Sequence, residues 1–550
     1  MRKSIWRPLH KPVFRMFWIA ALVSNIGTWM HDVGAAWLMT TLTRHPVMVS
    51  LLQTAIFLPF FLMALPAGAL ADVFDRRRLL VAGHIWMSLS AMGLALLALT
   101  GVTDPWLLLA LTFALGLGAA VSAPAWNAVT PELVSRADLA NAVALGSVSW
   151  NVARGIGSVI GGLVVALAGP GAVFLLNGVS FLGLIVFFFR WRRQPVHTFA
   201  HKEGVLEAMK AGVRYVRHAP ELGAVLFRCA LFTASGSAFW ALLPLVWRVK
   251  LGCTSFQYGL ALGLFGAGTL AGAYLMPRAR RWLSLDHCSA VGTVVFAGGV
   301  IGLACAGDVG GGFFFMLVAG AAWIFVNSCL NLAVQLAAPA WVRARAMAFY
   351  IIVSQGSVAL GSVMWGAMAA GSDLAGPLVL SAMALVLGIF AIVHFPLVEA
   401  EKLDVSISRH WDEPEVSFEP NPEDGPVLVS VEYLIDPPRY REFKEAMSAV
   451  RLQRLRDGAF QWHLFHDLSN PGRYVETYFI ESWAEHMRQH ERVTVTDRLT
   501  EERAIAFHTG QSPPLIRHYI SAYANAGASQ GQPAPGPGYQ LSDYRYLTRM

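Results

Sequence analysis

Charge is scarce in this sequence. Asp, Glu, Lys and Arg make up 14% of 550 residues, against roughly 25% in soluble chains. Such a chain is not the three or four soluble domains that its length alone would suggest. Cysteine is equally scarce. Cys229, Cys253, Cys288, Cys305 and Cys329 have no paired spacing and fall in or beside apolar runs, which excludes a disulfide framework and a cysteine metal site. No glycine-rich phosphate loop and no dinucleotide fingerprint is present, so ATP is not the expected energy source and no cofactor, metal or nucleic-acid partner is expected.

What is abundant is apolar length. Hydrophobic residues reach 55% and the mean hydropathy is +0.50. Runs of about 20 residues recur from Met16 to about Leu397, each long enough for a hydrocarbon core of roughly 30 Å. The expected fold is an all-α polytopic membrane protein with twelve transmembrane helices, near 16–40, 47–71, 79–100, 106–130, 140–168, 171–190, 221–247, 258–277, 288–306, 311–337, 346–370 and 377–397. The basic start "MRKSIWRPLHKPVFRMFW" leads into a run too long for a signal peptide, so it reads as the first permanent span.

The short loops set the orientation. One side collects Arg2, Lys3, Arg7, Lys11 and Arg15, then Arg76 to Arg78, Arg136, the cluster from Arg190 to Arg217, Arg278, Arg280, Arg281, Arg343 and Arg345; the other has Arg44, Arg248 and Lys250. Both termini are therefore expected in the cytoplasm. The 191–220 loop, with an amphipathic segment expected along the cytoplasmic face, divides the spans into six-helix bundles at 1–190 and 221–400. Such a layout suits a transporter with its site between the halves. An acidic linker, 401–424, leads to a soluble domain at 425–520 and a tail at 521–550 with the composition of a disordered segment. Strand-like alternation in "VLVSVEYLI", "GAFQWHLFHD", "RYVETYFIES" and "PLIRHYISA", interleaved with helical stretches, predicts a cytoplasmic α+β ferredoxin-like domain.

Few residues inside the spans are ionisable, and those few become candidates. Asn25, Trp29 and Asp32 share one face of the first helix at i, i+4 and i+7. An ionised carboxylate there costs roughly 3 kcal/mol or more on insertion scales. Asp32 lies about 24 Å beyond Met16, and Arg154 about 21 Å beyond Ala140, at roughly 1.5 Å per residue. Their depths are expected to match, which would let Arg154 interact with a switchable Asp32. Asn151, Gln335 and Gln355 join Asn25 and Trp29 as substrate-path candidates, interhelical hydrogen bonding being the plain alternative. In the soluble domain His486 and His490 are one helical turn apart, in the highly charged "EHMRQHER", which reads as a solvated face.

"GALADVFDRRRLL", Gly68 to Leu80, resembles the first loop motif of the major facilitator superfamily. Gly68 would permit close helix approach and Asp72, beside Arg76 and Arg77, would latch onto the opposite bundle. Val73 and Asp75 depart from the usual residues, and "GAYLMPRARR" in the second half has Met276 in the acidic slot, so the latch reads as one-sided. Two longer stretches, "PAWNAVTPELVSRADLANAVALGSVSWNVARGIGSVIGGL" and "NLAVQLAAPAWVRARAMAFYIIVSQGSVALGSVMWGAMA", are similar to the transmembrane secretion effector subgroup, relatives of the enterobactin exporter. The soluble tail resembles an antibiotic biosynthesis monooxygenase-like domain, whose members commonly dimerise by pairing sheets. The resemblance implies a proton-coupled exporter of a small molecule (a drug, siderophore or secondary metabolite) in the bacterial cytoplasmic membrane, with the first and fifth helices lining the cavity and 425–520 available for homodimerisation. The weaker alternatives are a lipid or lysolipid transporter and an exporter fused to an oxidising enzyme. In the fifth span, Ala144, Ala153, Gly157, Ser158, Gly161 and Gly162 keep the small residues seen in antiporters of this superfamily, with Ser158 where Pro is usual. Close helix packing explains that row equally well.

Overall fold

The computed structural model describes residues 6–191, 205–397 and 402–522, apart from 412, 413, 415 and 419. It divides into two compact units, one ending at Val405 and one beginning at Ser406.

The first unit is helical. Among the described residues, eleven of its helices are long and apolar enough to cross a membrane: α1 (Pro12–Leu42), α2 (Pro46–Val73), α3 (Arg76–Thr100), α4 (Pro105–Leu133), α5 (Leu139–Arg190), then, after the shorter α6 (Val205–His218), α7 (Pro220–Leu245), α8 (Ser255–Ala279), α9 (Leu285–Cys305), α10 (Val309–Ala337), α11 (Arg343–Ala370) and α12 (Ala375–Gly388), the last carried on by a 3-10 turn to Val393. Short polar residues at the loop ends start them. Asp75 accepts from Arg78 N at 3.0 Å, Asp104 from Trp106 N and Leu107 N at 2.7 and 3.1 Å, and Thr254 and Gln257 form a capping box on α8. Each cap satisfies donors that would otherwise be stranded at the membrane edge. Asp75, which departs from the loop motif, thus has a local task as the N-cap of α3.

At 52 residues α5 is too long for one crossing, and it breaks at Gly169 (φ 77°), followed by Pro170. The glycine supplies the left-handed backbone that other residues avoid. Contacts with α1 show that the chain reverses there. A Cβ on Gly157 would lie 2.8 Å from Ile26 O, and one on Gly161 2.8 Å from Met30 Cα, so residues 139–168 run parallel to α1. Beyond the break, Gly27 meets Asn177 and Ser180 while Gly34 meets Val173 and Phe174, so 170–190 run antiparallel to it. Small residues at each crossing let the backbones approach.

We call the face at which α1 begins the near face and the opposite one the far face. The two helix groups, α1–α5 and α7–α12, are joined in the far half. Thr54 donates to Ala359 O at 2.8 Å, and Arg248 donates to Trp37 O and Thr40 Oγ1 at 3.2 and 3.1 Å. The rings of Trp37 and Tyr258 are 6.1 Å apart. Gly162 faces Gly259 so closely that a Cβ on either would come within 3 Å of the other's backbone. This seam runs inward to Gly155 and Gly266, near mid-depth. In the near half, a Cβ on Gly68 or Gly146 would meet nothing within 4 Å. Between described residues, the hydrogen bonds and ring contacts that join the two groups all lie in the far half.

Helix α6 packs on the second group, with Tyr215 OH donating to Ala337 O at 3.1 Å and Gly212 against Arg345. The amphipathic segment expected along the cytoplasmic face thus forms a helix that packs on the second group.

The second unit holds a four-stranded antiparallel sheet, ordered β2-β3-β1-β4 from β1 (Val427–Leu434), β2 (Phe460–His466), β3 (Arg473–Ile480) and β4 (Leu515–Ile520). Helices Tyr440–Asp457, Trp483–Arg492 and Val495–Ile505 connect them. Val427, Val429, Val431 and Tyr433 alternate inward to meet Phe443, Met447 and Val450, the period of two that the sequence displays. Residues 406–411, within the stretch expected to be a linker, run along this unit: Ile407 bridges to Thr494 and His410 and Trp411 reach Glu501.

Candidate functional site

The site is built where α1 and the first half of α5 face α8. The parallel register that pairs Ile26 with Gly157 and Met30 with Gly161 sets Arg154 level with residue 23. Asp32 is nine positions further along, about 13 Å toward the far face at roughly 1.5 Å per residue. Counting from apparent span starts concealed this offset, because α1 begins at Pro12 rather than Met16 and the two helices do not start level. The structure does not bring Asp32 and Arg154 together.

Arg154 instead stands over the indole of Trp29, 4.7 Å from the ring centroid, a cation–π arrangement. Trp29 makes an edge contact with Trp150 at 5.6 Å between centroids. Arg154 Nε and Trp29 Nε1 are buried without a hydrogen-bond partner. The Arg154 stem passes Gly266 of α8, whose Cβ position is 3.8 Å from Arg154 Cγ, so this group lies at the inner end of the seam. Asp32 is half-buried, within electrostatic reach of Tyr258 on α8. His31 turns away and packs on Phe174 at 4.7 Å.

The other path candidates are dispersed. Asn151 donates to Ser147 O at 2.9 Å on its own helix. Gln335 donates to Asn331 Oδ1 at 2.6 Å near the near-face end of α10, and Gln355 is half-buried at mid-depth on α11. Asn25 is half-buried one turn before Trp29.

Of the latch candidates, Arg76 pairs with Glu132 at 3.0 Å, and Arg77 donates to the carbonyls of Phe188 and Phe189 at 2.7 and 2.5 Å. Both arginines are tied to their own helix group. Gly68 faces open space, and the Asp72 side chain is outside the described residues.

The second helix group handles its charges differently. Arg228 is 7% exposed; it forms an ion pair with Asp286 and donates to Ser289 Oγ at 3.1 Å. Asp286 also accepts from Leu397 N at 3.0 Å. Asp286 escaped the sequence reading because it sits at a span end in "LSLDHCSA", where an acid at a helix start is unremarkable.

The soluble unit contains a buried ion network. Glu476, fully buried, accepts from Arg454, Trp462 and Tyr433 at 3.3, 2.8 and 3.2 Å. Glu501 accepts from Arg454, Gln453 and Trp411 at 2.5, 3.1 and 2.8 Å. Burial works against the Glu501 carboxylate, but Arg454, His410 and Trp411 outweigh it and hold its pKa down at about 2. His486 is not on a solvated face. It is 1% exposed, with both ring nitrogens unpartnered, 4.9 Å from His490 and 4.8 Å from His518 between centroids. The nearby charges that suggested solvent pair with each other, Arg492 with Glu485 at 2.9 Å. Among the described residues no group of three or more His, Cys, Asp or Glu is arranged to hold a metal.

The family model for transmembrane secretion effectors matches residues 3–526, and the chain belongs to that family. A major-facilitator-type transporter of Bacillus subtilis, YfiS, is 28% identical over 60% of this chain and 82% of its own length. The staphyloferrin A transporter of Staphylococcus aureus is 22% identical over 52% and 73%, and the enterobactin exporter EntS of Shigella boydii 26% over 47% and 64%. Among solved structures, the nucleoside transporter NupG aligns with a TM-score of 0.57 at 12% identity, covering 70% of this chain and 98% of that one. A bacterial homolog of the human lysosomal transporter Spinster, inward-facing and unoccupied, aligns at 0.55 and 15%, covering 71% and 96%. The chain is therefore a multi-pass membrane transporter of the major facilitator type.

Proposed function

We propose that this transporter exports a small molecule from the bacterial cytoplasm by alternating access, coupled to proton entry. Eleven long helices among the described residues, one of them reversing at Gly169, support twelve crossings with both termini on one side, and the Lys and Arg bias favours a cytoplasmic near face. The observation that carries the reading is the placement of two ionisable side chains about one seam. Arg154 stands at the seam's inner end, while Asp32 is level with the Gly162–Gly259 crossing and within electrostatic reach of Tyr258.

On this reading substrate enters from the near face and reaches Trp29 and Arg154. Parting of the far seam would then expose Asp32 to the outside, where it takes up a proton; return to the near-open state delivers that proton inward. Asn25, Asn151, Gln335 and Gln355 supply polar contacts along the path. Asp72 would latch the near face when it closes, with Gly68 allowing the approach, while Arg76 and Arg77 bond within the first bundle. The soluble unit is a ferredoxin-like module. Its open sheet face, carrying Phe460, Phe465 and Tyr519, would pair two copies of the chain.

The test compares released small molecules in a deletion strain rescued by wild type or by Asp32→Asn at matched protein levels. Wild type should restore release and Asp32→Asn should not. In proteoliposomes a pH jump should drive transport by wild type alone. Full activity of Asp32→Asn in both assays would make Asp32 a packing residue and end the coupling mechanism.

A further inference from the structure

Arginines within membrane spans pair with acids or carbonyls, and Arg228 does so with Asp286 and Ser289. Arg154 departs from that pattern. Among the described residues no acid lies within ion-pair distance of it and none accepts a hydrogen bond from it; its close interaction is with the Trp29 ring. Asp32, the acid on the adjoining helix, is displaced along it by nine positions.

The polar inventory around this arginine is unbalanced in one direction. Arg154 offers a planar fork of N–H donors and no acceptor, and Trp29 Nε1 is another donor. Two of these donors, Arg154 Nε and Trp29 Nε1, are buried and unsatisfied. A buried donor left without a partner is costly, so the site is completed by an acceptor from outside the chain. Beside a permanent cation, that acceptor is best an anion, held by charge-assisted hydrogen bonds. The walls specify the rest. Trp29 and Trp150 meet edge to face, and Trp150 is 43% exposed, so its ring is available to a flat apolar body.

We propose that Arg154, Trp29 and Trp150 form the substrate subsite of this transporter, and that its substrate is an organic anion whose carboxylate, sulfonate or phenolate is joined to an aromatic or other planar apolar group. This rests on the export reading and narrows it. The Arg154 stem touches α8 at Gly266, so an anion bound here also sits against the opposite bundle. Occupancy of the subsite is thereby linked to the separation of the two halves.

The test uses full-length protein in a non-ionic detergent and two probes of nearly equal shape, naphthalene-2-sulfonate and the neutral naphthalene-2-sulfonamide, with binding read by calorimetry. Wild type should prefer the sulfonate by about tenfold or more, the range expected of a charge-assisted hydrogen bond. Arg154→Gln should reduce that preference to about twofold or less, and Arg154→Lys, which keeps the charge, should retain most of it. Trp29→Leu should weaken both probes, the sulfonate somewhat more because the Nε1 donor is lost with the ring. Equal binding of the two probes by wild type, binding of neither, or a preference that survives in Arg154→Gln would overturn the assignment. Transport is read separately, in proteoliposomes with an imposed pH gradient. Anion-selective binding with no movement of either probe or of any exported compound would sink the export reading and leave the subsite standing. Transport of neutral and anionic solutes alike would do the reverse.

Discussion

The two halves of the membrane unit carry arginines within their spans under opposite conditions, Arg228 buried and Arg154 half-buried. In the second half Arg228 is enclosed by Asp286 and Ser289, and Asp286 is further held by the Leu397 amide. In the first half Arg154 has an indole face in place of an acid, and Asp32 lies too far along its helix to serve as the counter-charge. A closed network fixes one arrangement, because removing any member strands another. An open set is bound less tightly to one conformation and keeps its hydrogen-bonding capacity for something that arrives. The soluble unit repeats the contrast: Arg454, Glu476 and Glu501 form a closed network, while His486 is enclosed without a partner. A buried histidine has an escape that Arg154 lacks, since it can shed its proton and stay neutral.

The sharpest way to break this comparison is to open the closed network. Arg228→Ala leaves Asp286 buried without its cation and should cost about 3–5 kcal/mol, read as a fall in thermal stability of the purified protein. Replacing both partners, Arg228→Met with Asp286→Leu, should recover most of that loss. If the double variant is no more stable than Arg228→Ala, the pair is not the unit described here.

A second intervention addresses the seam between the halves. A Cβ on Gly162 would come within 2.5 Å of Ser255 O and 2.9 Å of Gly259 Cα. Gly162→Leu should therefore overpack the seam, at roughly 1–3 kcal/mol. Because the contact lies between bundles, that cost falls on the state with the far half closed. Spin labels on the far-face ends of α1 and α7 should report a shift to longer distances. Unchanged distances with full transport would mean that the seam is not a gate.

The soluble unit supplies a pH-dependent version of the contrast. Burial, and then the neighbouring imidazoles, push His486 down to about 3 and His490 to about 4; burial also lowers His518. The unfolded chain, with an ordinary value of about 6.5, binds protons that the folded domain refuses. Stability is therefore fully present above about pH 6.5 and lost as pH falls toward 4, at up to about 1.4 kcal/mol per pH unit for each imidazole. Below about pH 4.5 the Glu501 carboxylate, held near 2, adds a loss of the same sign. His486→Leu should make the stability of this domain flatter between pH 6.5 and 5, by hydrogen exchange on the full chain. An unaltered slope would assign the acid sensitivity elsewhere.

How much of this could be read from the sequence differed by the kind of information each feature required. Apolar run length located the long helices, and the Gly169–Pro170 step was legible as a boundary between two spans, because both are local signals. Period-two alternation likewise gave the four strands. Helix register was not legible. The pairing of Asp32 with Arg154 depended on where two helices start relative to each other, which Gly157 and Gly161 fix by packing on Ile26 and Met30 and no single-span pattern reports. Burial of His486 was missed because its charged neighbours Glu485 and Arg492 consume each other's charge. The Arg154–Trp29 contact used two residues already marked as candidates, but for separate reasons. Only the register places them together.

The smallest expected effect is the one that tests the open side of the comparison most directly. Arg154 has no ion pair to lose among the described residues, and its interaction with Trp29 is worth about 0.5–2 kcal/mol. Arg154→Gln keeps polarity and much of the stem while removing the cost of holding a cation at mid-depth. These terms oppose each other, so the substitution should shift stability by no more than about 1 kcal/mol, well below the loss from Arg228→Ala measured under the same conditions. If Arg154→Gln instead destabilises as severely as Arg228→Ala, Arg154 is part of a structural network after all. The two halves would then differ only in the partners they use. If stability holds while transport fails, the arginine's unsatisfied donors serve the passing substrate, and the asymmetry between the bundles divides labour, one half holding the fold and the other meeting the cargo.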